Sequence, residues 1–135
     1  MPNINVKTKG EGDVIDLTSA VGGIVSTSKV KEGAATVFVV GSTAAITTIE
    51  FEPGLAADMR EAAERLFPRG IDYEHHRRWG DGNGHSHVRA AFVGPSVTVP
   101  IIKGKLALGT WQQIVLLEYD VRPRDRTVIV QAVGA

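Results

Sequence analysis

An α+β domain built mainly on antiparallel strands is what this sequence predicts, on three observations. Apolar residues alternate, or gather in short unbroken runs, in more segments than they recur at helical spacing. The stretches joining these segments are short, which favours strands that fold back on their neighbours over a doubly wound parallel sheet. The chain has 135 residues, 43% of them apolar, enough for one domain spanning 1–135 with a sizeable core.

The elements follow in order. Ile4-Asn5-Val6-Lys7 alternates as a half-exposed strand, and Val14-Ile15 marks a second one after a turn at Gly10-Glu11-Gly12-Asp13. Asp16 is placed to cap a short helix running to about Val25. Thr36-Val37-Phe38-Val39-Val40 is nearly all apolar and reads as a fully buried strand, and Ala45-Ile46-Thr47-Thr48-Ile49 as another, with Gly41-Ser42-Thr43 between them. From Pro53 to Phe67, Leu55, Met59, Ala62 or Ala63, and Leu66 keep helical spacing, Pro53 suits the first turn, and Glu61 and Arg65 stand four apart. Val88, Ala91 and Phe92 predict a further helix that stops at Gly94-Pro95. Three β-rich runs close the chain, Val97 to Ile102, Trp111 to Tyr119 and Thr127 to Val133, and Arg122-Pro123-Arg124-Asp125-Arg126 reads as a charged hairpin turn.

Composition narrows the partners. Fifteen basic and fifteen acidic side chains cancel, which removes the global footprint of a nucleic-acid binder and favours a small ligand or a protein. No cysteine is present, so any transition-metal site must use imidazole and carboxylate. The start Met1-Pro2-Asn3-Ile4-Asn5 lacks the apolar core of a signal peptide, and no apolar run approaches the ~20 residues of a membrane span. A cytoplasmic protein without membrane contact is the expectation.

All four histidines fall between positions 75 and 87. Imidazole is the commonest metal ligand and titrates near neutrality, so this confinement points to a site. Glycines at 80, 82 and 84 make the segment flexible, and a bound ion is an economical way to order it. His85 and His87 share a face in an extended segment, whereas a helix splays them by about 200°. They converge only if the helix begins near His87, and His75 or His76 would then supply a third nitrogen. The competing reading is a polar loop with exposed histidines in which Asp81 or Ser86 caps a helix.

Other residues carry weaker signals. Glu50 ends a buried strand and can act as base or ligand, while Glu52 sits where it would answer the positive end of the following helix. Ser42 and Thr43 offer hydroxyls and backbone N–H groups to an anion, or simply form a turn. Arg77, Arg78 and Arg89 flank the histidines and can bind phosphate. Trp111 fills a core or an interface, or presents a flat surface for stacking, beside the amide of Gln112.

Leu106-Ala-Leu-Gly-Thr-Trp-Gln112, with Tyr73-x-His75, His87-Val-Arg89-Ala, Gly94-Pro-Ser96 and Thr43-Ala-Ala-Ile-Thr47 followed by Glu50, resembles the YjbQ-like family (UPF0047), also described as secondary thiamine-phosphate synthases. The resemblance spans nearly the whole chain. It implies a sandwich- or barrel-like β-rich core with two or three helices, a homotrimer, and a cleft near subunit boundaries. It also implies a weak activity joining a pyrimidine diphosphate to a thiazole phosphate with release of pyrophosphate. The catalytic residues expected are Glu50 and His87. The substrate-binding residues expected are Ser42, Thr43, Arg89, Trp111 and Gln112. A divalent metal, zinc or magnesium, is expected on His75, His85 and His87. The alternative is a non-catalytic trimer holding a small anionic metabolite. The chain departs from the family where many members resemble His-Thr-Thr-Ala-Ala and Asp-Ala-His. Here those positions are Gly41-Ser42-Thr43-Ala44-Ala45 and His85-Ser86-His87, so one imidazole is lost at 41 and another gained at 85.

Overall fold

Residues 2–135 are described by the structure, a computed structural model. The elements run β1 (Asn3–Lys7), β2 (Val14–Asp16), α1 (Thr18–Ser28), β3 (Glu32–Val39), β4 (Ala44–Ile49), α2 (Pro53–Leu66), α3 (Glu74–Trp79), α4 (Gly84–Val93), β5 (Ser96–Ile102), β6 (Lys105–Leu106), β7 (Gln113–Glu118) and β8 (Asp125–Gly134). They form a five-stranded sheet in the order β1-β8-β3-β5-β6 and a three-stranded sheet in the order β2-β7-β4. Every pairing between strands is antiparallel. The expected α+β class holds.

Two turns read from sequence do not close hairpins. β1 pairs with β8 whereas β2 pairs with β7, so the segment around Glu11 carries the chain from the large sheet to the small one. The Arg122–Arg126 segment makes the reverse passage from β7 to β8, and Arg126 turns inward instead of pointing into solvent. Alternating patterns identify strands; they do not say which strands are neighbours.

The sheets pack face to face. Val37, Val39, Val99, Ile101, Val128 and Val130 of the large sheet meet Ile46, Ile114 and Leu116 of the small one, and Val21 and Val25 of α1 close one end. Each fully buried aliphatic side chain here contributes ~1.5–3 kcal/mol. The other face of the small sheet is covered as well. Ala45, Val115, Leu117 and Tyr119 pack against Met59 and Ala63 of α2 and Ala90 and Val93 of α4. β7 is therefore buried at every position from Ile114 to Glu118. The run at Thr36–Val40 proves to be one-sided instead: Val37 and Val39 are buried, but Phe38 and Val40 stand out on a face that no helix covers.

Helix ends follow local chemistry. Asp16 Oδ1 accepts from the Thr18 N–H at 2.9 Å and the Thr18 hydroxyl at 2.7 Å, and α1 then runs three residues past Val25 to Ser28. Glu52 caps α2, accepting from the N–H groups of Gly54 and Leu55, with Pro53 in the first turn. The described residues form four helices, one more than the expected upper number. The addition is α3, whose Glu-His-His-Arg-Arg-Trp sequence has no apolar periodicity to announce it. β6, only two residues long, was likewise invisible.

Candidate functional site

The site is organised by where α4 begins. It starts at Gly84, which places His85 and His87 in its first turn on opposite sides. His85 and Arg89, four apart, share one face, and His87 and Ala91 share the other. The helix thus serves two clefts. The buried Asn83 anchors the glycine-rich segment before it. Its Oδ1 accepts from the Ser86 hydroxyl at 2.8 Å and the Val121 N–H at 3.1 Å, and its amide donates to Asp120 at 3.3 Å. Asp81 supports the same turn by accepting from the Asn83 N–H at 3.1 Å.

On the first side, His87 lines a cleft of about 370 Å³ with Gly41, Ser42, Ala44, Ala90 and Pro95. His75 of α3 lies over His87, with ring centroids 4.3 Å apart and planes tilted by 39°. Behind it, His75 Nδ1 stands 3.3 Å from Asp81 Oδ1. Burial holds the His87 imidazole below its ordinary pKa and the neighbouring His75 pushes it further down, while Asp81 and Asp120 offset part of this. Burial disfavours ionisation of Asp81 too, but the Asn83 N–H and His75 outweigh it and the carboxyl lies below its usual range.

Beneath this cleft runs a buried ionic network. Glu118, fully buried, accepts from Arg126 Nε at 2.8 Å and Nη2 at 2.5 Å, from the Thr8 hydroxyl at 2.8 Å and from the Asp120 N–H at 3.0 Å. Asp120 accepts from Thr43 Oγ1 at 2.9 Å, from Asn83, from the Arg122 N–H at 2.9 Å and from Arg124 at 2.9 Å. Burial opposes its charge, yet these donors pull its pKa down to about 2. Thr43 also accepts from Arg126 Nη2 at 2.8 Å, so its hydroxyl is spent inside the network and does not face a ligand.

On the second side of α4, Arg89 lines a cavity of about 210 Å³ with Glu11, Met59, Arg60, Glu64 and Tyr119. Arg89 is buried and donates to Glu64 at 2.8 Å and to the Phe67 carbonyl at 3.1 Å. His85, fully buried, contacts Glu11 through Nε2, while its Nδ1 has no hydrogen-bond partner. Tyr73 sits between His85 and His76, whose Nε2 is also unpartnered; His76 thus packs against protein.

The expected site residues are accordingly divided. His75 and His87 come together, with His87 and Ser42 lining one cleft, while Arg89 lines the other cavity and His85 contacts Glu11 at its edge. Among the described residues no three His, Asp or Glu side chains converge to hold a metal ion, because a helix begun at Gly84 separates His85 from His87. The exchange of histidine from 41 to 85 does not conserve one site either: Gly41 belongs to the His87 cleft and His85 contacts Glu11. Gln112 lines a third cleft with Thr18 and Lys105, bonded to Thr48 at 3.1 Å and to the Gly109 N–H at 3.1 Å. Glu50 is exposed after β4, and Trp111 is 73% exposed, so neither lines these clefts nor fills the core of the chain. Sequence reasoning missed Glu11, Asn83, Glu118, Asp120 and Arg126. The available signal was Glu118-Tyr-Asp120 at the end of an apolar run, where two carboxylates must find donors.

Comparison with known proteins agrees with this architecture. The family described as UPF0047 protein YjbQ-like matches residues 2–135. A UPF0047 protein of Archaeoglobus fulgidus is 41% identical over 129 residues, covering 96% of this chain and 98% of the relative. YugU of Bacillus subtilis is 30% identical over 135 residues, 99% of each. Among solved structures, a YbjQ-like protein from Sulfolobus solfataricus P2 superposes with a TM-score of 0.90 at 33% identity, covering 99% of this chain and 96% of that one. A YjbQ/UPF0047 protein from Clostridium acetobutylicum gives 0.89 at 36%, covering 98% and 100%. The chain belongs to the YjbQ-like UPF0047 family.

Proposed function

We propose that this protein is an enzyme acting on a small metabolite, with His87 as proton acceptor in the cleft formed with Gly41 and Ser42, and His75 as its partner. One observation carries the reading. His87 is a half-buried imidazole on a cleft wall whose surroundings favour the neutral form, which a general base needs near neutral pH. His75 lies over it and favours the neutral form, while the Asp81 carboxylate behind His75 offsets part of the cost when His87 takes up a proton. Asp120 and Asn83 position the turn that starts α4 and so set the height of His87 in the cleft.

The thiamine-phosphate reaction breaks the bond between the pyrimidine methylene and the diphosphate, forms one to the thiazole nitrogen, and leaves pyrophosphate with the electron pair. It calls for cations at the leaving group. Arg89, the cation expected there, faces the other side of α4. We assign this reaction a secondary place, as a weak side activity of the His87 cleft. We further propose a homotrimer: Phe38, Ile102 and Val133 are large apolar side chains standing exposed on three adjacent strands of the uncovered sheet face, and a second copy can cover them. Light scattering is expected to give about three times 14.4 kDa.

The test is turnover of phosphorylated metabolites, the pyrimidine diphosphate and thiazole phosphate pair included, by the wild-type protein, His87→Gln and Glu50→Gln. The reading expects His87→Gln to lose at least ~10²-fold in kcat/KM, the usual scale of a lost general base, and Glu50→Gln to stay near wild type. Equal rates for wild type and His87→Gln, or no turnover by the wild-type protein, would overturn it.

A further inference from the structure

Glu11 is held in a way that a turn carboxylate does not require. Its Oε1 contacts Nε2 of the fully buried His85 and stands 3.8 Å from Arg89 Nη1, and its Oε2 accepts from Arg69 Nη1 at 2.8 Å. Three nitrogen-bearing side chains from α4 and the loop after α2 therefore converge on one carboxylate. Two of them, His85 and Arg89, are buried, with side chains 0% and 6% exposed. The cavity of about 210 Å³ is lined by Glu11 and Arg89, and its wall is partly apolar, with Met59, Ala63 and Tyr119.

The residue that occupies this position comes from the passage between sheets, not from a strand ladder. Glu11 is flanked by Gly10 at φ 105° and Gly12 at φ 88°, conformations that glycine adopts without strain and that shape the turn presenting the Glu11 side chain to these donors. By contrast, the groups that grip it are fixed from elsewhere, Arg89 by Glu64 and the Phe67 carbonyl and His85 by burial in the first turn of α4.

We infer that His85, Arg89 and Arg69 form an anion-binding site in which Glu11 is a built-in occupant. An external phosphate or carboxylate takes the place of the Glu11 carboxylate, and the apolar or aromatic body carrying it enters the cavity against Met59 and Tyr119. Arg89 Nη1, the guanidinium nitrogen not engaged by Glu64 or the Phe67 carbonyl, faces the Glu11 carboxylate and offers a charged donor to either anion, and His85 Nε2 adds a second from the buried side. This site lies across α4 from the His87 cleft and does not depend on the function proposed for that cleft.

Titration calorimetry with phenyl phosphate, benzoate and inorganic phosphate tests the inference on the full chain. Glu11→Ala removes the occupant, and it is expected to bind phenyl phosphate or benzoate at least ~10-fold more tightly than wild type, a preference between the two identifying the anion. Inorganic phosphate, lacking the apolar body, is expected to bind more weakly than phenyl phosphate. Adding Arg69→Met to Glu11→Ala is expected to reverse several-fold of the gain; Arg69 is largely exposed, so this change leaves the core intact. If Glu11→Ala is poorly folded, Glu11→Gln carries the same test, because a neutral amide competes less well for the three donors. Unchanged affinity on vacating Glu11 in the folded variant, or a gain that survives removal of both Arg69 and Arg89, would overturn the assignment.

Discussion

Replacing Arg126 by Met should cost this protein ~3–5 kcal/mol, because it breaks a buried ion pair from one side only. Arg126 is 7% exposed, and its guanidinium donates twice to Glu118, at 2.8 and 2.5 Å, and once to Thr43 at 2.8 Å. Charge-assisted hydrogen bonds contribute ~1.5–3 kcal/mol each but do not add when they share a partner. What remains after the change decides the size. Glu118, fully buried, keeps the Thr8 hydroxyl and the Asp120 N–H, two neutral donors for a full charge. Adding Glu118→Gln removes that charge and keeps one acceptor oxygen for the Asp120 N–H, while the amide NH2 can donate to the Thr8 hydroxyl, which turns to accept it, so the double variant should be more stable than Arg126→Met alone. Urea unfolding at fixed protein concentration measures all three, and the double-mutant cycle isolates the pair. A loss below ~1 kcal/mol for Arg126→Met, or a double variant less stable than it by the full cost of Glu118→Gln alone, would refute the view that this pair is buried and mutually dependent.

Further changes test other parts of the structure. Gly41 has φ 129°, and a Cβ there would lie 2.7 Å from Arg126 Nη1, so Gly41→Ala should destabilise by ~1–3 kcal/mol in the same urea assay and Gly41→His by at least as much. Asp120 ionises in the folded state near pH 2 against 3.8 when free; its contribution, about 2 kcal/mol, is fully present above the free value and is lost as pH falls from about 4 to about 2, and Asp120→Asn should remove that component of acid sensitivity. Trp111→Ala should change the unfolding free energy by less than ~1 kcal/mol, since the ring is 73% exposed; a loss of the ~3–5 kcal/mol typical of a buried tryptophan would show that another subunit covers it.

The strands and the long helix were legible because their signals are local. Pro53 to Leu66 announces itself through spacing, and Val97 to Ile102 through alternation. Burial was less legible: the run at Thr36–Val40 looked doubly covered and is not, whereas β7 is, because coverage depends on which layer a strand joins. The site was half legible. The concentration of histidines marked the region of both clefts, and Val88, Ala91 and Phe92 marked α4, but α3 went unannounced and one residue in the start of a helix decides whether His85 faces His87 or Glu11. Asp81 and Asn83 set that start, Asp81 locally and Asn83 through its bond to Asp120, 37 residues away, which no local pattern contains. Expectations for Trp111 rested on size and for Thr43 on its neighbours, and the fold placed the first outside and the second in an ionic network.

The central claim is that His87, paired with His75, is the working base of the cleft. NMR titration of the ring protons of His87, free and with the phosphorylated metabolite found to turn over, measures this directly. The account predicts that His87 titrates below the ~6.5 of a free imidazole, that His75→Gln moves it back up by removing a like-charged neighbour, and that the metabolite shifts its ring signals. A His87 that titrates at or above the free value, is indifferent to His75→Gln and does not sense the metabolite would contradict it.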